Sequence, residues 1–142
     1  MSGTRQAQTR VLVADDNDGV RQTTALILRS AGYQVDEAGD GEEALRMISG
    51  TAYDVAVLDV RMPKRDGMWV VEHLEVSTAP KVVVDSAYDV ETAERERVGD
   101  RVFRYLRKPA PPDALLDAVR RAAAARRAQH GVVAIPAEGM AL

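Results

Sequence analysis

The sequence of 142 residues contains no cysteine. Disulfide scaffolds, cysteine-bound zinc, iron–sulfur clusters and thiol nucleophiles are therefore excluded. Histidine occurs only as His73 and His130, too few and too far apart for a histidine-rich metal site. Neither lies in a loop that reads as a site, which argues against a serine–histidine nucleophile. Aromatic residues make up 4% of the chain, so the core must be aliphatic. No apolar run approaches the roughly 18 residues of a membrane-spanning helix. Met1 to Arg10 is polar and lacks the apolar stretch of a secretory signal. Positive charge is not in excess: 19 Lys and Arg face 22 Asp and Glu. That balance argues against broad nucleic-acid binding. Together these absences make a cytoplasmic protein with no membrane partner the expectation.

What remains is ordinary globular material. Hydrophobic residues are 46% and charged residues 29%, which excludes disorder along the whole length. The length suits one domain. Val11 to Ala14 is a short apolar run that stops at Asp15-Asp16-Asn17-Asp18, the pattern of a buried parallel strand ending in an acidic loop. Val20, Thr24, Ile27, Leu28 and Ala31 then recur at helical spacing, with Gly32 at the helix end. Tyr33 to Ala38 reads as a strand, and Asp40-Gly41 opens a helix that Gly50 closes. Tyr53 to Asp59 is a third strand ending in a carboxylate.

After the loop 61–65, a helix runs from Asp66-Gly67 through Met68, Val71, Leu74 and Glu75, and Pro80 marks its limit. Met68 and Trp69 read as packing, and His73 as a surface residue. Lys81 to Val84 is the fourth strand, 89–98 a charged helix, and Val102 to Leu106 the fifth strand. Pro111-Pro112 starts a last helix. Its Arg120, Arg121, Arg126 and Arg127 read as a solvated face. We divide the chain into a flexible N-terminal segment (1–9), one domain (10–127) and an irregular tail or start of a linker (128–142). Five alternations of strand and helix predict an α/β fold, a doubly wound five-stranded parallel sheet. Ligands of such sheets sit at the carboxyl ends of the strands.

Those ends carry the chemistry. The first strand delivers Asp15 and Asp16, the third Asp59, the fourth Ser86-Ala87, and the fifth is followed by Lys108-Pro109. Each alone has an ordinary reading: a helix cap, a turn, a surface lysine. Jointly they place three carboxylates, a hydroxyl and an ammonium on one edge of one sheet. Three close carboxylates call for a counter-charge, and a hard divalent cation such as Mg²⁺ suits oxygen ligands plus a phosphate oxygen. A carboxylate can also attack phosphorus to give an acyl phosphate.

These residues resemble the receiver domains of two-component response regulators, over about residues 10–127. The resemblance rests on Val-Leu-Val-Ala-Asp-Asp at 11–16, Val-Leu-Asp-Val-Arg-Met-Pro at 57–63, Asp66-Gly67, Ser86-Ala87 and Lys108-Pro109. It implies a flavodoxin-like (βα)5 fold. By it, Asp59 is the phosphoacceptor, Asp16 with Asp15 binds Mg²⁺, and Asp59 and the backbone carbonyl of Arg61 are further ligands. Ser86 is the switch hydroxyl with Ala87 beside it, Lys108 binds phosphate, and Tyr105 is the aromatic that reports activation. Met62, Pro63, Gly67 and Pro109 shape the pocket, with Lys108-Pro109 cis. Arg61 and Tyr88 control the lifetime of the phosphorylated form.

The implied partners are a sensor histidine kinase or phosphotransfer protein, and a downstream protein target or an effector domain beyond the sequence. A homodimer would use the face of the fourth helix, fifth strand and fifth helix. No turnover of an outside substrate is implied.

Two departures stand out. Ala110 replaces the Phe common after Lys-Pro. Asp85 sits where an apolar residue is usual, and needs Arg104, Arg107 or solvent at the strand end as a partner. Two other classes remain open. One is an Mg²⁺-dependent aspartyl phosphatase, against which Arg61 stands where an acid/base carboxylate is wanted. The other is a pseudo-receiver that only binds partners.

Overall fold

Five parallel strands, β1 (Arg10–Ala14), β2 (Gln34–Ala38), β3 (Val55–Leu58), β4 (Lys81–Ser86) and β5 (Val102–Arg107), form one sheet in the order β2-β1-β3-β4-β5. The computed structural model describes residues 9–129. Five helices connect or follow the strands: α1 (Asp18–Ser30), α2 (Gly41–Gly50), α3 (Gly67–Glu72), α4 (Thr92–Val98) and α5 (Pro112–Gln129). From β1 the chain first moves outward to β2, then returns past β1 to β3. The crevice between the ends of β1 and β3 is therefore the topological switch point.

The central strands are apolar on both faces because helices cover both. Leu12, Ala56, Leu58 and Val84 pack with Ala44 of α2, Met68 and Val71 of α3, and Val98 of α4. Val11, Val13, Val57 and Val83 pack with Ala25 and Leu28 of α1 and Leu115 and Val119 of α5. β-branched valines suit this pleated interior. Helix starts follow the side-chain oxygens. Asn17 accepts from the Val20 amide, Asp40 from Glu43 and Asp66 from Trp69.

Several sequence boundaries shift. The third helix stops at Glu72, short of Glu75, because its last carbonyls are taken. The Arg101 guanidinium donates to the Glu72 carbonyl at 3.1 Å, and the exposed His73 ring sits 2.9 Å from the Trp69 carbonyl. α5 continues to Gln129, two residues past the expected limit at 127. Arg126 leaves the solvated face: it reaches Asp54 at 3.1 Å and ties the helix to the bottom of the sheet. Thr9, assigned to a flexible segment, is buried, and its carbonyl accepts from Gln34. The rest of that segment, and the tail from 130, lie outside the described residues.

β4 also runs on through Asp85 and Ser86, which pair with Leu106 and Arg107 of β5. Asp85 therefore lies inside the sheet, only 8% exposed, and neither expected arginine reaches it. Arg104 pairs with Asp117 at 3.7 Å and Arg107 with Asp89 at 2.7 Å. One carboxyl oxygen, Oδ1, is fully buried and has no hydrogen-bond partner among the described residues. Burial pushes the Asp85 carboxyl above the usual carboxylate range, although Lys108 pulls the other way. A raised folded-state value favours folding at low pH, and that contribution is lost as pH rises through it. Asp85→Val should therefore stabilise the protein at pH 7 by about 1–3 kcal/mol, the cost of an unsatisfied buried polar group. The gain should shrink as pH falls toward the ordinary aspartate value of about 3.9. Urea unfolding at both pH values measures this, and an equal gain at each would contradict the account.

Candidate functional site

The sheet's own hydrogen bonding carries past the ends of the strands. The Asp15 amide donates to Ala38 at 3.1 Å, the Asp59 amide to Ala14 at 3.0 Å, and the Lys108 amide to Ser86 at 2.8 Å. Backbone ladders thus hold three functional residues, so their positions do not rely on loop order. Asp15, Asp59 and Ser86 are buried, while Asp16 is exposed.

Lys108 bridges the acidic group. Its Nζ lies 2.5 Å from Asp15 Oδ2 and 3.6 Å from Asp59 Oδ2. Burial pulls the ammonium's pKa down, but the Asp15 hydrogen bond and the charges of Asp59, Asp15 and Asp85 outweigh it, and the net shift is upward. Burial pushes the Asp59 carboxyl up; Lys108 opposes this, and the negative charges of Asp15 and Asp16 add to it. Asp15, Asp16 and Asp59 each offer a carboxylate oxygen within 4.8 Å of the others. Three hard oxygens so placed, two of the side chains buried at strand ends, fit a small divalent cation.

The loop after β3 is shaped by one close approach. A Cβ on Gly67 would lie 2.2 Å from the Asp59 carbonyl oxygen. Only glycine lets α3 start this close to the end of β3, and the Gly67 amide bonds the Val60 carbonyl at 2.9 Å. Met62 is buried in the core under this loop, Pro63 is exposed, and the Lys108-Pro109 bond is cis.

Ser86 and Tyr105 do not touch the carboxylate cluster through any hydrogen bond. They line a separate small cavity of about 80 Å³ with Tyr88 and Arg95. Ser86 Oγ accepts from the Tyr88 amide at 3.2 Å. Among the described residues the buried Tyr105 hydroxyl has no hydrogen-bond partner, and the Arg95 guanidinium lies 4.0 Å from its ring centre. The Ala87 carbonyl accepts from Arg107. The Arg61 guanidinium stacks on the Tyr88 ring at 4.3 Å, so the side chains assigned to lifetime control form one unit.

Sequence reasoning missed three supporting residues. Asn17 donates its amide to Asp15 Oδ1 at 2.9 Å while capping α1. Arg21 holds the Asp15 carbonyl at 3.0 Å and Glu37 at 3.1 Å. Arg95 covers Tyr105. The cap spacing from Asn17 to Val20 was a readable signal for the first; the two arginines act across the fold and leave no local pattern.

Comparison with known proteins agrees with this geometry. The family model "Response regulator receiver domain" matches residues 11–120. Transcriptional regulatory protein PdtaR of Mycobacterium tuberculosis is 35% identical over 112 residues, covering 78% of this chain and 54% of that protein. The chain thus spans about half the length of that relative. The receiver domain of Francisella response regulator 1452 aligns with a TM-score of 0.75 and 31% identity, covering 83% of this chain and 98% of that one. Response regulator TrrA of Thermotoga maritima, solved in complex with Mg²⁺–BeF, aligns with a TM-score of 0.71 and 28% identity, covering 81% and 99%. With the five-stranded parallel sheet and the acidic switch point in place, the family match means that this chain belongs to the response regulator receiver domains of two-component systems.

Proposed function

We propose that the chain is a phosphoacceptor switch in which Asp59 takes a phosphoryl group from the phosphohistidine of a sensor kinase or phosphotransfer protein. The observation that carries this is Lys108, held between Asp15 and Asp59 at the switch point. An Asp59 carboxylate oxygen attacks phosphorus, the phosphorus–nitrogen bond of the donor breaks, and the imidazole nitrogen keeps the electron pair and takes a proton. Asp15, Asp16 and Asp59, with the Arg61 carbonyl, would hold Mg²⁺. When bound, that ion supplies positive charge opposite the phosphoryl oxygens. The Mg²⁺–BeF complex of TrrA supports the same ion here.

Lys108 does the rest of the charge compensation. Its ammonium already sits in the acidic group, so it follows the new phosphoryl oxygens with a small shift. Ser86 then turns its hydroxyl from the Tyr88 amide toward a phosphoryl oxygen. The small cavity shared by Ser86 and Tyr105 gives the Tyr105 ring room to respond. The response reshapes the face of α4, β5 and α5, where a downstream target, an effector domain or a second copy would dock. Phosphorylation acts by favouring one of two existing states. The only reaction is the protein's own phosphorylation and dephosphorylation, and a kinase donor places it in the cytoplasm. We take 10–127 as the domain, with the buried Thr9 before it and the end of the last helix running on to Gln129.

Incubation with acetyl phosphate and Mg²⁺, read by intact mass, tests the assignment. Wild type should gain one phosphoryl group and Asp59→Asn none; full labelling of that variant would overturn the reading.

Asp16→Ala removes an oxygen ligand and a charge. Mg²⁺ affinity, measured by titration calorimetry, should fall more than tenfold, over ~1.4 kcal/mol. An unchanged affinity would remove Asp16 from the ligand set.

The Arg61–Tyr88 stack predicts a long-lived phosphorylated form. Hydrolysis needs a water in line with the phosphorus–Asp59 bond, and neither side chain carries a carboxylate or amide to orient it. Arg61→Asn with Tyr88→Glu should speed dephosphorylation roughly 5–30-fold, the effect of ~1–2 kcal/mol on the barrier. Loss of phosphate at the wild-type rate in the double variant would refute shielding by the stack.

A further inference from the structure

The opposite face of the sheet holds a feature that phosphorylation chemistry leaves unexplained. Between α1 and α5 lies a cavity of about 470 Å³, lined by Val20 and Ile27 of α1, Leu115 of α5, Ala110, Lys108 and Asp85. Its size is that of a small-molecule site, and its wall is mainly apolar. Side chains alternate across the strand, so Asp85 shares its face with Val83, whose neighbours are α1 and α5. Ala110 adds to the opening, because a larger residue there would occupy it.

Asp85 is the one carboxylate in this wall. It is more than nine-tenths buried, and among the described residues its Oδ1 has no hydrogen-bond donor. The arginines on the adjacent edge strand are committed to Asp117 and Asp89. Lys108, the nearest ammonium, is bonded to Asp15 and also faces Asp59. Three carboxylates (Asp15, Asp59 and Asp85) therefore share one lysine. That imbalance selects against an anionic occupant and for a cationic one. A carboxylate that lines an apolar cavity and has too few donors is met best by a charged N–H group, and the apolar wall is satisfied by hydrocarbon.

We propose that this cavity is a binding site for a small amphipathic amine, its ammonium on Asp85 and its apolar body between α1 and α5. The inference centres on Asp85 and Ala110, to which the proposed phosphoryl transfer gives no part, while Lys108 borders both sites; its test needs no phosphorylation. Benzylamine is the probe and benzyl alcohol its neutral control, each titrated into isotopically labelled protein at millimolar concentration and followed by the amide resonances of Thr24, Ala87 and Ala110.

Benzylamine should shift these resonances saturably and bind at least tenfold more tightly than benzyl alcohol. Asp85→Val should lose at least tenfold in benzylamine affinity while staying folded, because it removes an unsatisfied buried group. Ala110→Phe, which fills the cavity without touching the carboxylate, should abolish binding of both probes. The proposal is overturned if benzylamine gives no saturable shift. It is equally overturned if Asp85→Val binds benzylamine as wild type does, or if the alcohol matches the amine.

Discussion

The ammonium of Lys108 between two buried carboxylates is the interaction on which the rest of the domain turns. Without it, Asp15 and Asp59 would face each other as like charges in a site largely closed to water. The fold supplies this cation by geometry alone. The Lys108 amide is tied to Ser86 on the neighbouring strand, so the end of β5 sets where the side chain starts. Removing such a lysine would leave uncompensated buried charge, a far larger penalty than losing a surface ion pair. A second cation brought in by the carboxylates relieves the same repulsion. Three carboxylates around one ammonium leave an excess of negative charge that a divalent cation can offset.

Much of this was legible along the chain, for a definable reason. Val11 to Ala14 and Val55 to Leu58 are buried on both faces, so they appear as unbroken apolar runs, and the carboxylate ending each run marks the edge of the sheet. The register that joins Asp15, Asp59 and Lys108 follows once the strands are parallel and ordered. What stayed hidden depends on contacts distant in sequence. The end of α3 is decided by Arg101, and the environment of Tyr105 by Arg95. Asp85 was read correctly as needing a partner, but the two candidates are drawn off by Asp117 and Asp89, which no local spacing reveals.

The two layers of helices serve different ends. On the α2–α4 side, a glycine lets the chain come within van der Waals contact of the end of β3, and the half-buried Tyr105 packs against that layer's core. On the α1–α5 side the valines of the sheet meet alanines and leucines of the helices. This aliphatic layer opens at the strand ends into the cavity beside Asp85.

Among the described residues the sheet has two open edges, and their charges are sorted by sign. The outer strand β2 carries Asp36 and Glu37, and the outer strand β5 carries Arg104 and Arg107. Left bare, an acidic edge on one molecule and a basic edge on the next would invite strand-to-strand addition into a growing fibre. Arg10 and Arg29 instead neutralise β2, and Asp117 and Asp89 neutralise β5, all from within the same molecule. Exposed pairs of this kind add little to folding stability. Their consequence is colloidal: each copy arrives with its edge charges already matched, and the sheet ends where the chain ends it.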